Sequence, residues 1–127
     1  MQLTKLLSRN EIIDAIATRV KSKYPGKGTC EFITKELVKE LSLRGIFAKH
    51  VSGNFHLDEP ASYLFVNPLD EVNDEYTIDH DWVEVEGMIV DAAASQFRKY
   101  VYEEIPDIVM ANHTHPLYTK YEPLKYV

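Results

Sequence analysis

Cysteine is nearly absent: Cys30 is the only one in 127 residues, so no disulfide can close within the chain and no cysteine-rich metal site can be built. Long apolar runs are also missing, and none approaches the roughly 20 residues that span a bilayer. The first residues, Met1-Gln2-Leu3-Thr4-Lys5-Leu6-Leu7, contain neither an apolar stretch of signal-peptide length nor a small-residue cleavage site. The expectation is a cytoplasmic protein with no membrane partner. Positive charge is the minority sign, with 14 Lys and Arg against 20 Asp and Glu, a net −6. Such a surface repels phosphate backbones, so no nucleic acid is expected as partner. Where basic residues do gather, at Arg19, Lys21, Lys23 and Lys27, they read as a solvated helix end that opposes the C-terminal dipole. There is no internal repeat and no low-complexity segment.

What is present suits one domain. The length supports a single core, and 45% hydrophobic with 27% charged residues is ordinary for a globular chain. Ser8 and Glu11 form a capping box, and Ile12, Ile13, Ile16, Ala17 and Val20 follow at helical spacing up to Pro25-Gly26. A second helix is predicted from Thr29 as N-cap to about Arg44, with Gly45 as its stop. Ile33, Leu37 and Leu41 form its buried stripe, and Cys30, three residues before Ile33, projects from the same face. The one thiol therefore sits in the first turn of a helix, facing the rest of the fold.

Beyond residue 46 the pattern turns to β. A strand is predicted over 46–51, a turn at Ser52-Gly53-Asn54, a short strand over 62–66 and an exposed acidic loop over 69–75. Strands over 78–85 and 88–92 are joined at Glu86-Gly87. After Phe97 the chain, rich in Tyr and Pro, reads as a short helix or strand over 105–110 and then an extended tail packed over the domain. The expected class is α+β, with two N-terminal helices on an antiparallel sheet of about four or five strands.

The hairpin carries the chemistry. With Glu86-Gly87 as a two-residue turn, Val85 pairs with Met88 and Trp82 with Asp91, which places His80, Trp82, Ile89 and Asp91 on one face. His80 and Asp91 are then diagonal neighbours about 7–8 Å apart at the backbone, within side-chain reach. A helix N-terminus favours a thiolate, an imidazole accepts the thiol proton and returns it to a leaving group, and a carboxylate orients the imidazole. First-turn N–H groups, that of Cys30 included, suit an oxyanion hole.

These residues also carry a resemblance. Gly28-Thr29-Cys30 opens a helix that ends in Leu43-Arg44-Gly45-Ile46-Phe47-Ala48 and leads to Val51 and Gly53. His80-Asp81-Trp82-Val83-Glu84-Val85 and Gly87-Met88-Ile89-Val90-Asp91 follow. The series resembles the transglutaminase-like superfamily of cysteine enzymes, whose pattern runs Gly-x-Cys, a helix, Gly-Ile-x-Ala, His-x-Trp-Val-Glu-Val and a following Asp. The continuation from Ala92 to Phe97 is similar to small bacterial and bacteriophage members. The resemblance spans roughly 28–97, within a single domain whose core is taken as 8–97 and whose extension is 98–127. It implies a transglutaminase-like, papain-like core with Cys30 as nucleophile, His80 as base and Asp91 as orienting acid. It further implies acyl transfer from a protein, peptide or other amide substrate, as a cysteine protease, amidase, deamidase or cross-linking enzyme. No cofactor or metal is called for, and a phage-encoded member would act in the host cytoplasm. No upstream glutamine matches the oxyanion-hole donor of papain-type peptidases, and Gln96 lies too far downstream to take that role.

Each residue alone has an ordinary explanation. A lone cysteine is commonly a small buried hydrophobe; His80 suits a hydrogen-bonded strand position, Asp91 a strand end, and Trp82 the core. Asp79 and Asp81 alternate to the other face, where solvent exposure is expected. His113 and His115, with His50 and His56, offer imidazoles for zinc without a supporting cysteine or paired helical histidines. Two other readings accompany the enzyme: a catalytically silent transglutaminase-like binding module, and a protein–protein effector with an acidic surface.

Overall fold

The computed structural model describes residues 8–25, 29–59, 72–74 and 76–121. Two helices come first, α1 (Arg9–Ser22) and α2 (Cys30–Leu43). In α1 the capping box is complete: Ser8 Oγ accepts from the Glu11 N–H, and the Glu11 carboxylate accepts from the Ser8 N–H, each at 3.2 Å. α2 ends in a Schellman arrangement, with Ile46 N–H on the Leu41 carbonyl (2.9 Å) and Gly45 N–H on that of Ser42 (3.0 Å). Gly45 has φ +75, the left-handed conformation this motif requires.

The strands are β1 (Lys49–His56), β2 (Val72–Asp74), β3 (Thr77–Val85), β4 (Met88–Asp91), β5 (Val109–Asn112) and β6 (Tyr118–Lys120), with a 3-10 helix over Ala94–Tyr100. The sheet is antiparallel, in the order β5-β4-β3-β1-β6, and β2 pairs with β3 outside that row. The α+β class is thus observed.

The hairpin register follows the expectation, with Val85 opposite Met88, Glu84 opposite Ile89 and Val83 opposite Val90. Both turn residues are left-handed, Glu86 at φ 48 and Gly87 at φ 78, as a type I′ turn demands.

Alternation sends the two faces of β3 into different cores. Val83 and Val85, with Val90 of β4, pack under Ile13, Ile16, Val20, Ile33, Leu37 and Leu41 of the helices. Ile78 and Trp82, with Ile89, pack with Phe55, Phe97, Ile105, Val109 and Tyr118. That second core is covered by the 3-10 helix and the chain beyond it. The centre of the sheet is therefore buried on both sides, which is why β3 is mostly buried along its length although Thr77, His80 and Glu84 are polar.

Three local expectations are corrected. Ser52-Gly53-Asn54 is not a turn but the middle of β1, paired with Asp81, His80 and Asp79. Gly53 is there for space: a Cβ would lie 2.2 Å from the Thr119 carbonyl oxygen and 2.7 Å from the Trp82 ring. Within the acidic stretch, residues 72–74 form a strand rather than a loop, because backbone pairing does not require apolar side chains. The segment after Phe97 is more regular than expected: β5 and β6 form the two edges of the sheet. The strand expected over 62–66 and the remainder of 69–75 lie outside the described residues.

Candidate active site

Cys30 is the first residue of α2, half-buried against the helix-side core. Thr29 occupies the N-cap as expected, but its side chain does not cap the helix. Its hydroxyl instead donates to the Tyr24 carbonyl at 3.4 Å. The Thr29 side chain thus leaves the first-turn N–H groups beside the thiol to other acceptors.

His80 and Asp91 meet on the opposite face of the sheet, each 1% exposed. The imidazole Nε2–H donates to Asp91 Oδ2 at 2.7 Å. The same oxygen accepts from the Tyr118 hydroxyl at 2.8 Å, and Oδ1 accepts from the Ala93 N–H at 2.8 Å. Phe55 and Phe97 stand edge-on to the imidazole, at centroid distances of 5.5 and 5.1 Å. Trp82 and Tyr118 fill the remaining sides.

The charges in this pair support one another. Burial disfavours the imidazolium, yet the Asp91 charge and hydrogen bond, with Cys30 adding to them, push the His80 pKa from its ordinary 6.5 up to about 10. Burial likewise opposes the Asp91 carboxylate, but His80, the Ala93 N–H and Tyr118 outweigh it and hold the carboxyl below its usual range. Desolvation, then the neighbouring Asp91 charge, keeps the Tyr118 phenol protonated well above its normal titration.

The thiol and the imidazole approach from opposite faces of β3. Strand pairing on that edge covers Thr77 and Ile78 through β2, and 83–85 through β4. Among the described residues, 79–82 have no strand partner there. Cys30 is near enough to be one of the groups that favour the His80 imidazolium. Cys30 acts on the imidazole through hydrogen bonding as well as charge, and the buried His80 Nδ1 has no partner of ordinary hydrogen-bond geometry. The thiol's acceptor is Asp81 Oδ2, at 3.9 Å. Asp81 is not the solvated residue expected from the sequence: its other oxygen accepts from Ser52 Oγ (2.6 Å) and bonds His50 Nε2 (2.9 Å).

Two site residues thus escaped the sequence reading. The side of the sheet that Asp81 takes was legible, since alternation sets it with Val83 and Val85, but its contact with the thiol was not. Nor was Tyr118, because it reaches Asp91 only through the pairing of β6 with β1 at the far side of the sheet. Gln96 lines a cavity beside Thr29 and Ala93. The histidines weighed as zinc ligands are dispersed, with His56 on Thr119 and His115 on Glu103. Among the described residues no group of three or more His, Cys, Asp or Glu could hold a metal ion. No described helix is long and apolar enough to cross a membrane.

Comparison with protein-family models, with curated proteins and with solved structures finds no match for the chain.

Proposed function

We propose that the chain is a thiol-dependent acyl-transfer enzyme with a transglutaminase-like core, in which Cys30, His80 and Asp91 act as nucleophile, base and orienting acid. The observation that carries this reading is the state of His80. Its Nε2–H is committed to a buried carboxylate, while its Nδ1 is buried, unpartnered and close to a thiol at a helix N-terminus. A purely structural histidine at this depth would be expected to satisfy both nitrogens.

In the proposed reaction, rotation of the Cys30 side chain moves the sulfur from Asp81 to His80 Nδ1, where the imidazolium that Asp91 favours holds it as thiolate, the thiol proton passing to solvent. The sulfur attacks the carbonyl carbon of an amide, and the oxyanion is held by first-turn N–H groups of α2. The C–N bond breaks as the His80 imidazolium gives a proton to the departing amine, and the neutral imidazole left behind is the base for the next step. Water or a second amine then attacks the thioester and regenerates the thiol. Asp91 keeps the imidazole oriented with Nδ1 toward sulfur, and Tyr118 and Ala93 keep Asp91 in place. A cytoplasmic protein or peptide substrate fits this chemistry.

The test is the pH dependence of Cys30 alkylation by iodoacetamide in the wild type, His80→Ala and Asp91→Asn. The expected result is fast reaction near about pH 6 in the wild type, slowed in both variants. Three superimposed profiles that rise only in the range of an ordinary thiol, about pH 8.5, would sink the enzyme. The hydrogen bond of Cys30 to Asp81 favours a second reading in that event, a silent binding module on the same fold.

A further inference from the structure

A cavity of about 280 Å³ lies beside the proposed nucleophile, between the end of α1 and the segment that follows Asp91. Cys30 does not line it, but Thr29 and Ile33 do, the residue before the thiol and the one a helical turn beyond it. Ala93, which donates its N–H to Asp91, forms the facing wall. The cavity therefore borders both chain segments that carry the proposed triad.

Its charge is unusual for this molecule. The chain is net −6, yet among the described residues those that line the cavity include Lys21 and Arg98 and no carboxylate. The basic residues near the end of α1 diverge here. Arg19 and Lys23 pair with Glu40 and Glu36 at 3.0 and 2.7 Å, as a solvated helix end does. Lys21 turns inward, and its ammonium donates to the Ser95 hydroxyl (2.7 Å) and the Asp107 backbone carbonyl (2.8 Å), both neutral oxygens. One of its three N–H donors remains for a ligand. Burial lowers its pKa against the opposing pull of the Asp107 side chain, and Arg98 adds to the lowering. An anion in the cavity would relieve both effects. Arg98 is half-exposed and bound to Asp107 at 3.0 Å, so it contributes field more than a free hand.

We propose that this cavity binds a carboxylate of the substrate, which selects acyl donors that carry an acidic group close to the scissile carbonyl. The role in substrate choice rests on the acyl-transfer reading; the anion site itself does not. Asp81, which accepts from the thiol and does not line the cavity, repels such a group and so favours its orientation toward Lys21.

Iodoacetate and iodoacetamide, which differ in one charge, probe the cavity in the whole chain. The readout is the ratio of their rate constants for Cys30 at about pH 8, where even an ordinary thiol reacts. If a local cationic cavity governs the thiol, raising salt from about 20 to about 300 mM lowers the ratio about threefold by screening. Lys21→Met at low salt should lower it about fivefold, an attraction of partly buried charges being stronger than a surface one. A ratio that stays constant or rises with salt means that the acidic surface dominates, and overturns the proposal. So does a Lys21→Met ratio equal to that of the wild type. The His80 imidazolium also attracts iodoacetate at this pH, so the assignment to the cavity is read from Lys21, with Lys21→Gln measured in the same way if Lys21→Met does not fold. Failure of the iodoacetamide profile near pH 6 would remove the enzyme and leave this ratio standing; failure of the ratio would do the reverse.

Discussion

Asp81 and Asp91 serve the two faces of one hairpin, and the faces treat a carboxylate in opposite ways. On the helix side Asp81 is half-buried and satisfied by Ser52, His50 and the thiol, with solvent near enough to share the charge. On the other side Asp91 is sealed among aromatic rings, where a charge survives only if every lone pair it exposes is met. His80, Tyr118 and the Ala93 N–H meet that demand. The unpartnered imidazole nitrogen of this pair is the feature on which the proposed role of His80 rests.

The largest effect should come from breaking the sealed face. His80→Ala is expected to slow Cys30 alkylation near about pH 6 by roughly 10²- to 10³-fold, the range of a lost general base. Stopped-flow or mass-spectrometric labelling reads it directly.

Gly53→Ala attacks the same face through the backbone. Its methyl would meet Thr119 and Trp82, so β6 must shift away from β1, taking Tyr118 with it. The expected loss is about 2–4 kcal/mol in urea unfolding; a change below about 0.5 kcal/mol would mean that the strand adapts. Tyr118→Phe is milder, since it removes one hydrogen bond to a charged group, worth about 1.5–3 kcal/mol.

The pair also makes stability depend on pH. With a His80 pKa of about 10 in the fold against 6.5 in the unfolded chain, the native state holds more protons between those values. Its contribution is complete below 6.5 and is lost as pH rises through about 10. The wild type should therefore lose more stability than His80→Gln between about pH 7 and pH 10, by thermal melts at matched salt. Equal slopes would show that the imidazolium is not favoured. The smallest effect sharpens the contrast: Asp81→Asn should change alkylation by less than about threefold and upward, because it removes a negative charge beside the forming thiolate.

The parts legible in the chain were those governed by local pattern. The capping box at Ser8 and Glu11, the Gly45 stop and the Glu86-Gly87 turn depend on neighbours a few residues apart, and each appears where expected. The His80–Asp91 pairing also follows locally, because a tight turn leaves little freedom in register. Gly53 misled because glycine serves both turns and close approaches, and only the position of Thr119 and Trp82 distinguishes them. The 72–74 strand was hidden by its acidic composition, which says nothing about main-chain pairing.

By itself, then, the sequence determined the α+β class, the helix that carries Cys30 and the hairpin that joins His80 to Asp91, all products of short-range periodicity and turn chemistry. The tertiary structure alone decided that Tyr118 closes the buried pair, that Asp81 faces the thiol, and that Lys21 turns into a cavity beside it. Those contacts join residues 27, 51 and 74 positions apart, in Tyr118–Asp91, Cys30–Asp81 and Lys21–Ser95. Separations of that size are set by how sheet edges and helices pack, which no window of neighbouring residues encodes.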